Sequence, residues 1–175
     1  MTHEICAYLS MTINGYIADE SKSVDFLNEV ECQGDNGFSD FYEDVDVVVM
    51  GGNTYRWLLD NGVQDNPYAD KKVIVISSKQ VETDWDIEFY NGDLKNLDSI
   101  FKDYKKIWIV GGGQLISSML NEKIINRLYI TLTPFVLSDG IRLFKNIDRR
   151  IKFNLLGIKQ FNQFVEVNYE VNYVE

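Results

Sequence analysis

Two stretches of the chain share one design: Val47-Val-Val-Met-Gly-Gly-Asn-Thr54 and Ile107-Trp-Ile-Val-Gly-Gly-Gly-Gln114. Each begins with an apolar run, which is typical of a strand buried on both faces of a parallel sheet. Each continues through glycines, which permit a tight turn and the close approach of a ligand. We predict that a helix follows each turn, over 53–59 and 114–121. The first turn of a helix carries unpaired N–H groups and partial positive charge, so both places favour a phosphate.

Together the two glycine turns predict a dinucleotide site. Neighbouring parallel strands bring their carboxyl ends to one edge of a sheet, where two such turns can hold the two ends of a dinucleotide. Neither turn is a standard fingerprint, because the chain has no GxGxxG after its first strand and no GxxxxGK[ST]. The alternative interpretation is that the glycines only allow the helices to pack closely on the sheet.

Further strands are predicted on both sides of this motif. Apolar runs predict strands over 5–10 and 73–76, and alternation predicts one over 128–133. The tail over 165–173 alternates most cleanly, with Val165 and Val167 on one face and Glu166 and Asn168 on the other, as in a half-buried antiparallel strand. The chain therefore predicts an α/β fold in one domain, 1–175, with a mainly parallel sheet flanked by helices and antiparallel strands at its C-terminal end.

The composition excludes several classes of function. Lys and Arg number 17 and Asp and Glu 27, a net charge of −10, which disfavours nucleic acid and anionic membranes as partners. The single histidine and the two cysteines leave almost no material for a Ser/His/Asp device or a zinc site, so we expect no metal. The N-terminus has no secretory pattern, and no apolar stretch approaches ~18 residues. We expect a cytoplasmic protein.

The chain resembles the dihydrofolate-reductase-like fold, and within it the branch close to the C-terminal reductase domain of bacterial riboflavin biosynthesis. The matching segments follow the family's order along the whole chain. They are Leu9-Ser-Met-Thr-Ile-Asn-Gly-Tyr-Ile-Ala18, Val49-Met-Gly-Gly-Asn-Thr-Tyr55, Val75-Ile-Ser-Ser78, Trp108-Ile-Val-Gly-Gly-Gly-Gln-Leu115 and Leu128-Tyr-Ile-Thr-Leu-Thr-Pro-Phe-Val-Leu-Ser-Asp-Gly-Ile-Arg-Leu-Phe144.

The resemblance implies a reductase that uses NADPH or NADH to transfer a hydride to a flat heteroaromatic substrate such as a pterin or pyrimidine. It implies a homodimer, a cis peptide at Gly111–Gly112, and Thr131 on the substrate side. The implied cofactor-binding residues are Ile17, Gly51, Gly52, Asn53, Thr54, Ile76, Ser77, Ser78, Gly111, Gly112, Gly113, Gln114 and Leu115.

Two departures from the family pattern concern the cofactor's charge. The family places one arginine where this chain has Gly52 and, in the pterin reductases, another where it has Gln114. Those arginines grip the 2′-phosphate that distinguishes NADPH from NADH, through charge-assisted hydrogen bonds of roughly 1.5–3 kcal/mol each. The choice between the two cofactors therefore stays open. Two other functions also stay open. One is a non-catalytic nucleotide-binding module of the same fold, and the other is a flavodoxin-like FMN protein.

The proton donor is expected on the first helix, because reductases of this fold carry one acidic residue there. Asp40 is the first candidate, since Phe41 and Tyr42 beside it would wall an aromatic substrate, and Asp35 is the second. The alternative is that these acids form a solvated first helical turn, where negative charge is favourable.

Overall fold

The computed structural model describes residues 3–173. The strands are β1 (Glu4–Thr12), β2 (Tyr16–Ala18), β3 (Val47–Gly51), β4 (Lys72–Ile76), β5 (Glu88–Tyr90), β6 (Lys106–Gly111), β7 (Arg127–Thr133), β8 (Ile141–Arg142), β9 (Ile151–Phe161) and β10 (Phe164–Tyr173). The α-helices are α1 (Phe38–Glu43), α2 (Gly52–Asp60), α3 (Leu97–Phe101) and α4 (Gly113–Asn121). Short 3-10 turns at Asp25–Glu29 and Leu94–Asn96 precede α1 and α3.

Eight strands form one sheet in the order β5-β4-β3-β6-β1-β7-β10-β9, and β2 pairs with β8 separately. The six strands from β5 to β7 in that order are parallel, whereas β10 runs antiparallel to both β7 and β9. The predicted α/β fold, with its mainly parallel sheet and antiparallel C-terminal strands, is confirmed. The apolar runs at 47–50 and 107–110 become the adjacent strands β3 and β6 near the middle of the sheet.

The helices cover both faces of the sheet. On one face, α3 and α4 pack against Ile5, Ile107 and their neighbours in a buried cluster. On the other face, α1 and α2 pack against Cys6, Trp108 and their neighbours in a second cluster. Helix α2 follows β3 and helix α4 follows the neighbouring strand β6, so the helices after these two adjacent strands lie on opposite faces of the sheet. Within residues 3–173, no helix is long and apolar enough to cross a membrane.

The tail strand departs from the predicted half-buried pattern. β10 lies between β7 and β9, so it is an interior strand of the sheet. Glu166, predicted on the polar face, is only 5% exposed, because that face turns toward the cavity beside α1. Phe161 and Phe164 flank the turn that connects β9 to β10.

Candidate functional site

The two glycine turns lie side by side at the carboxyl ends of β3 and β6. Met50 pairs with Gly111 across the two strands. A Cβ placed on Gly51 would lie 3.6 Å from the carbonyl oxygen of Gly111, and one placed on Gly112 would lie 3.5 Å from Thr54 Oγ1. Since α2 and α4 leave toward opposite faces, the turns flank a crevice at a topological switch point, where open α/β sheets bind their ligands.

Both helices begin without a side-chain cap. Within residues 3–173, no side chain accepts a hydrogen bond at the N-cap of α2 or α4, and neither first turn holds an acidic residue. The orphan N–H groups and the positive end of each helix dipole are thus left for an anion, worth roughly 0.3–1 kcal/mol per helix. Gly111 has a φ of +131°, which an L side chain rarely adopts, and its bond to Gly112 is cis, as the resemblance implies.

A guanidinium lies over the first turn of α2, although the family's arginine is missing there. The Nη1 atom of Arg56 is 3.5 Å from the point where a Cβ of Gly52 would stand, and its Nη2 donates a hydrogen bond to Asn53 Oδ1. Among residues 3–173, no carboxylate forms an ion pair with Arg56. The half-buried guanidinium of Arg56, whose charge no carboxylate neutralises among residues 3–173, therefore lies next to Gly52, where the family's arginine is missing.

The end of β4 completes this side of the crevice. Ile76 pairs with Gly51. A Cβ on Gly52 would lie 2.7 Å from Ser77 Oγ. Ser77 is fixed, because its hydroxyl donates to the carbonyl of Lys79 and accepts from the N–H of the same residue. Ser78 is exposed to solvent. Of the predicted cofactor residues on this side, Asn53, Thr54, Ile76 and Ser77 lie beside the turns, and Ser78 lies at the rim.

The predicted cofactor residues on the α4 side differ in burial and in their distance from the glycine turns. Leu115 lies against Gly51, with its Cβ 3.8 Å from the Cβ position of that glycine, whereas Gln114 is exposed. Gly113 is packed against the backbone carbonyls of Arg142 and Leu143, so it closes the rear of the loop. Ile17 is half-buried on β2 and packs against the apolar cluster that includes α4.

A separate cavity of about 230 Å³ lies between α1 and the sheet. Its lining includes Phe41, predicted to contact substrate, and Asp40, predicted to donate a proton. The complete lining is Tyr8, Gly37, Asp40, Phe41, Lys106, Tyr129, Lys159, Glu166 and Asn168. Phe41 is buried and stacks on Tyr8 with ring centroids 4.1 Å apart. The Nζ atom of Lys106 lies 4.3 Å from the centroid of the Phe41 ring.

Thr131, predicted on the substrate side, is the strand neighbour of Glu166, which lines this cavity. It pairs with Ser10 on β1 and with Glu166 on β10, so the three residues form one row across the strands. Thr131 and Glu166 are each 5% exposed. Burial raises the pKa of Glu166 above its ordinary 4.5, against the opposing effects of the Lys159 ammonium group and the Tyr8 hydroxyl.

The two acids predicted on the first helix have different surroundings. Asp35 precedes α1 and accepts hydrogen bonds from the backbone N–H groups of Gly37 and Ser39 and from the Ser39 hydroxyl. These bonds, with the Ser39 hydroxyl contributing most, hold the pKa of Asp35 below its ordinary value. Asp40 is exposed at the rim of the cavity. The Asp35 carboxylate is therefore engaged by the turn that leads into α1.

Sequence reasoning missed Arg56 and Glu166. The signal for Arg56 was its spacing, because a residue four positions after Gly52 returns to the same side of a helix. The sequence held no comparable signal for Glu166, since its burial depends on the position of β10 within the sheet.

Comparison with known proteins gives a consistent result. The family model described as the RibD C-terminal domain matches residues 4–166. The chain is 36% identical over 172 residues to the uncharacterized protein YwjB of Bacillus subtilis (strain 168), covering 97% of this chain and 98% of that protein.

Two solved structures are similar over nearly their whole length. A Shewanella sp. PV-4 structure, described as a riboflavin biosynthesis protein, superposes with a TM-score of 0.87 at 27% identity, covering 97% of this chain and 99% of that one. Dihydrofolate reductase from Enterococcus faecalis, complexed with NADP(H), superposes with a TM-score of 0.64 at 15% identity, covering 97% of both chains. At that identity the second similarity concerns the fold alone.

Proposed function

Because the chain belongs to the RibD C-terminal domain family, we propose that it is an NAD(P)H-dependent reductase that transfers a hydride to a pterin-like or pyrimidine-like heteroaromatic substrate. One observation supports this most: two uncapped helix N-termini meet at neighbouring glycine turns, in a sheet that also forms, under α1, a cavity lined by aromatic and polar side chains. The turns suit a pyrophosphate, and the cavity suits a flat ring with polar edges.

The residues at the crevice fit a nicotinamide dinucleotide. The Cβ position of Gly112 lies 3.5 Å from Thr54 Oγ1, so the two turns adjoin, and a pyrophosphate bound over them would accept hydrogen bonds from the N–H groups of both helices. When bound, the reduced nicotinamide supplies the hydride. The remaining work of the protein is to align two rings and exclude water, which is worth up to roughly 7–11 kcal/mol of the barrier in well-oriented systems.

We further propose NADPH as the preferred cofactor. Arg56 supplies the guanidinium that the family places at Gly52, and Ser77 adds a hydroxyl beside it. A planar guanidinium suits phosphate, because its donors form a rigid fork. The exposed Gln114 adds no charge on the other side. The preference for NADPH therefore depends on a single cation.

The substrate would lie over the row formed by Ser10 and Thr131, with Phe41 at its side. Phe41 is held by stacking on Tyr8 and by edge contacts with Trp108 and Tyr129. A wall with this many aromatic contacts is rigid, so it positions a bound ring without the entropic cost of ordering the Phe41 side chain on binding.

The alternative is a non-catalytic nucleotide-binding module of the same fold. It is favoured by the absence of arginine at positions 52 and 114. The two functions agree on cofactor binding and differ on turnover, so one experiment on the purified protein addresses both.

In the first step NADPH and NADH are titrated into the protein, and binding is measured by tryptophan fluorescence and by calorimetry. Trp108 lies on β6 three residues before Gly111, so its emission should change as cofactor binds. Turnover is then measured as loss of nicotinamide absorbance with dihydropterins, aminopyrimidines and 5-amino-6-(5-phosphoribosylamino)uracil. Binding with turnover supports the reductase, whereas binding without turnover supports the module. Absence of binding at millimolar concentration contradicts both.

We also propose that the protein forms a homodimer in the cytoplasm. β9 is an edge strand of the sheet, and it exposes Leu155, Leu156 and Ile158 at 54%, 49% and 61%. An apolar edge of this kind is normally covered by a partner. Light scattering after gel filtration checks the mass, and a monomer at micromolar concentration would contradict the dimer.

A further inference from the structure

Glu166 stands apart from every other charged residue between positions 3 and 173, because it alone is buried. Its side chain lines the cavity beside α1. The nearest cation is Lys159, with Nζ 4.0 Å from Glu166 Oε1, and that lysine side chain is 63% exposed. A carboxyl that is buried with so weak an ion pair costs stability as an anion. It is therefore held in a position where a neutral acid is favoured.

The position of Glu166 fits a donor to a bound ring. Its row contains Ser10 and Thr131, and β1, which carries Ser10, is the neighbour of β6 and its glycine turn. At a spacing of about 4.8 Å between strands, Glu166 lies roughly 10 Å from Ser10 across the sheet. A ring bound over Ser10 and Thr131 lies between the glycine turn on one side and the Glu166 carboxyl on the other.

The acids expected on the first helix are less suited to this task. Asp35 is occupied by three hydrogen bonds from Gly37 and Ser39 at the start of α1. Asp40 is solvent-exposed at the rim of the cavity. Of the three acids Asp35, Asp40 and Glu166, only Glu166 is buried and also lines the cavity.

We propose that Glu166 is the general acid of the reaction, donating a proton to the substrate as the hydride arrives; this proposal rests on the proposed reductase function. For a dihydropterin, the hydride adds to the carbon of a C=N bond, and that carbon is reduced. The O–H bond of Glu166 breaks and an N–H bond forms on the substrate nitrogen. The carboxylate then regains a proton from solvent past the exposed Lys159. Glu166 is neither oxidised nor reduced, and the nicotinamide is oxidised by two electrons.

Groups from five elements face Glu166 and set its titration. They are Tyr8 on β1, Asp40 on α1, Lys106 on β6, Tyr129 on β7 and Lys159 on β9. The two ammonium groups favour the anion, whereas burial favours the neutral acid and has the larger effect on the pKa of Glu166. A general acid acts in its protonated form, so turnover should fall as pH rises through that raised pKa.

The first test needs no substrate. Infrared pH titration of the full chain follows the C=O stretch of protonated carboxylic acids in wild type, Glu166→Gln and the matched control Glu170→Gln, whose residue is exposed on the same strand. We expect an acid band that persists above pH 4.5, the ordinary value for Glu. The band should be lost in Glu166→Gln and kept in Glu170→Gln. A Glu166 that ionises at or below its ordinary value overturns the proposal.

The second test measures turnover of a dihydropterin with NADPH, together with the Kd of the cofactor. Glu166→Gln should lower kcat by about 10²- to 10⁴-fold, the usual contribution of a general acid, and leave the cofactor Kd unchanged. Its residual kcat should no longer fall with pH. Full activity in Glu166→Gln, or a loss of activity seen only in Asp40→Asn, overturns the proposed role of Glu166 and leaves the proposed reductase function standing. A wild-type protein that binds cofactor and turns over no pterin or pyrimidine refutes the reductase itself.

Discussion

Replacing Arg56 by Gln should change the cofactor preference of the protein. The substitution removes the positive charge near the first turn of α2 but keeps a shorter polar side chain that still carries hydrogen-bond donors. The helix start, Gly52 and Ser77 are not altered. We expect weaker binding of NADPH and unchanged binding of NADH, because only NADPH carries a 2′-phosphate.

The size of the effect follows from the surroundings of Arg56. Its guanidinium is half-buried and, among residues 3–173, forms no ion pair with a carboxylate, so its charge is not already neutralised. A hydrogen bond to a charged group contributes about 1.5–3 kcal/mol. Since 1.4 kcal/mol corresponds to a factor of ten, the ratio of the NADPH and NADH dissociation constants should shift by about 10- to 140-fold. Partial exposure favours the lower end of this range.

Calorimetric titration of both cofactors measures the ratio directly. Arg56→Lys should lose part of the NADPH affinity, because an ammonium keeps the charge and lacks the planar fork. Arg150→Gln is the matched control, since Arg150 is exposed before β9, at the opposite edge of the sheet from β4 and β5. The reasoning is refuted if Arg56→Gln weakens NADPH and NADH equally, or if the control variant shifts the ratio as much.

Two further predictions concern stability. Gly52→Ala should destabilise the fold by about 1–3 kcal/mol in urea unfolding, because its Cβ would stand 2.7 Å from Ser77 Oγ. Gly157→Ala has no atom within 4 Å of its new Cβ and should change stability by less than about 0.5 kcal/mol; equal losses would contradict this account. The raised pKa of Glu166 means that the folded state retains a proton above pH 4.5, so the free energy of unfolding should fall as pH rises through that pKa. Glu166→Gln should flatten this slope and Glu170→Gln should not, and an identical slope in Glu166→Gln would exclude Glu166 as its source.

The sequence predicts those parts of the fold that local patterns determine. The apolar runs at 47–50 and 107–110 become the neighbouring buried strands β3 and β6, because a parallel strand covered on both faces needs apolar side chains on both. The glycines after them end the strands and begin α2 and α4. Asp93 accepts a hydrogen bond from the N–H of Lys95 and so caps the 3-10 turn before α3, a position where Asp is favoured.

The parts of the site that escaped prediction depend on contacts between distant segments. The missing arginine at Gly52 left the choice between NADPH and NADH open, and only the packed helix shows that Arg56 reaches back over the same turn. The alternation around Glu166 is the same for a strand at the edge of a sheet and for one inside it. The order β7-β10-β9 and the cover provided by α1 decide its burial, and neither is written in the local pattern.

The burial of Glu166 also bears on the choice between a reductase and a non-catalytic module. A module that only binds nucleotide has no use for an acid buried in the cavity beside α1. An apolar residue there would be more stable, because a buried carboxyl loses hydration that Lys159, at 4.0 Å, and the Tyr8 hydroxyl only partly replace. Sequences break local rules of this kind chiefly at functional sites, where an unfavourable group performs chemistry. The same residue that weakens the fold at neutral pH is therefore the strongest argument within the chain that the cavity is catalytic.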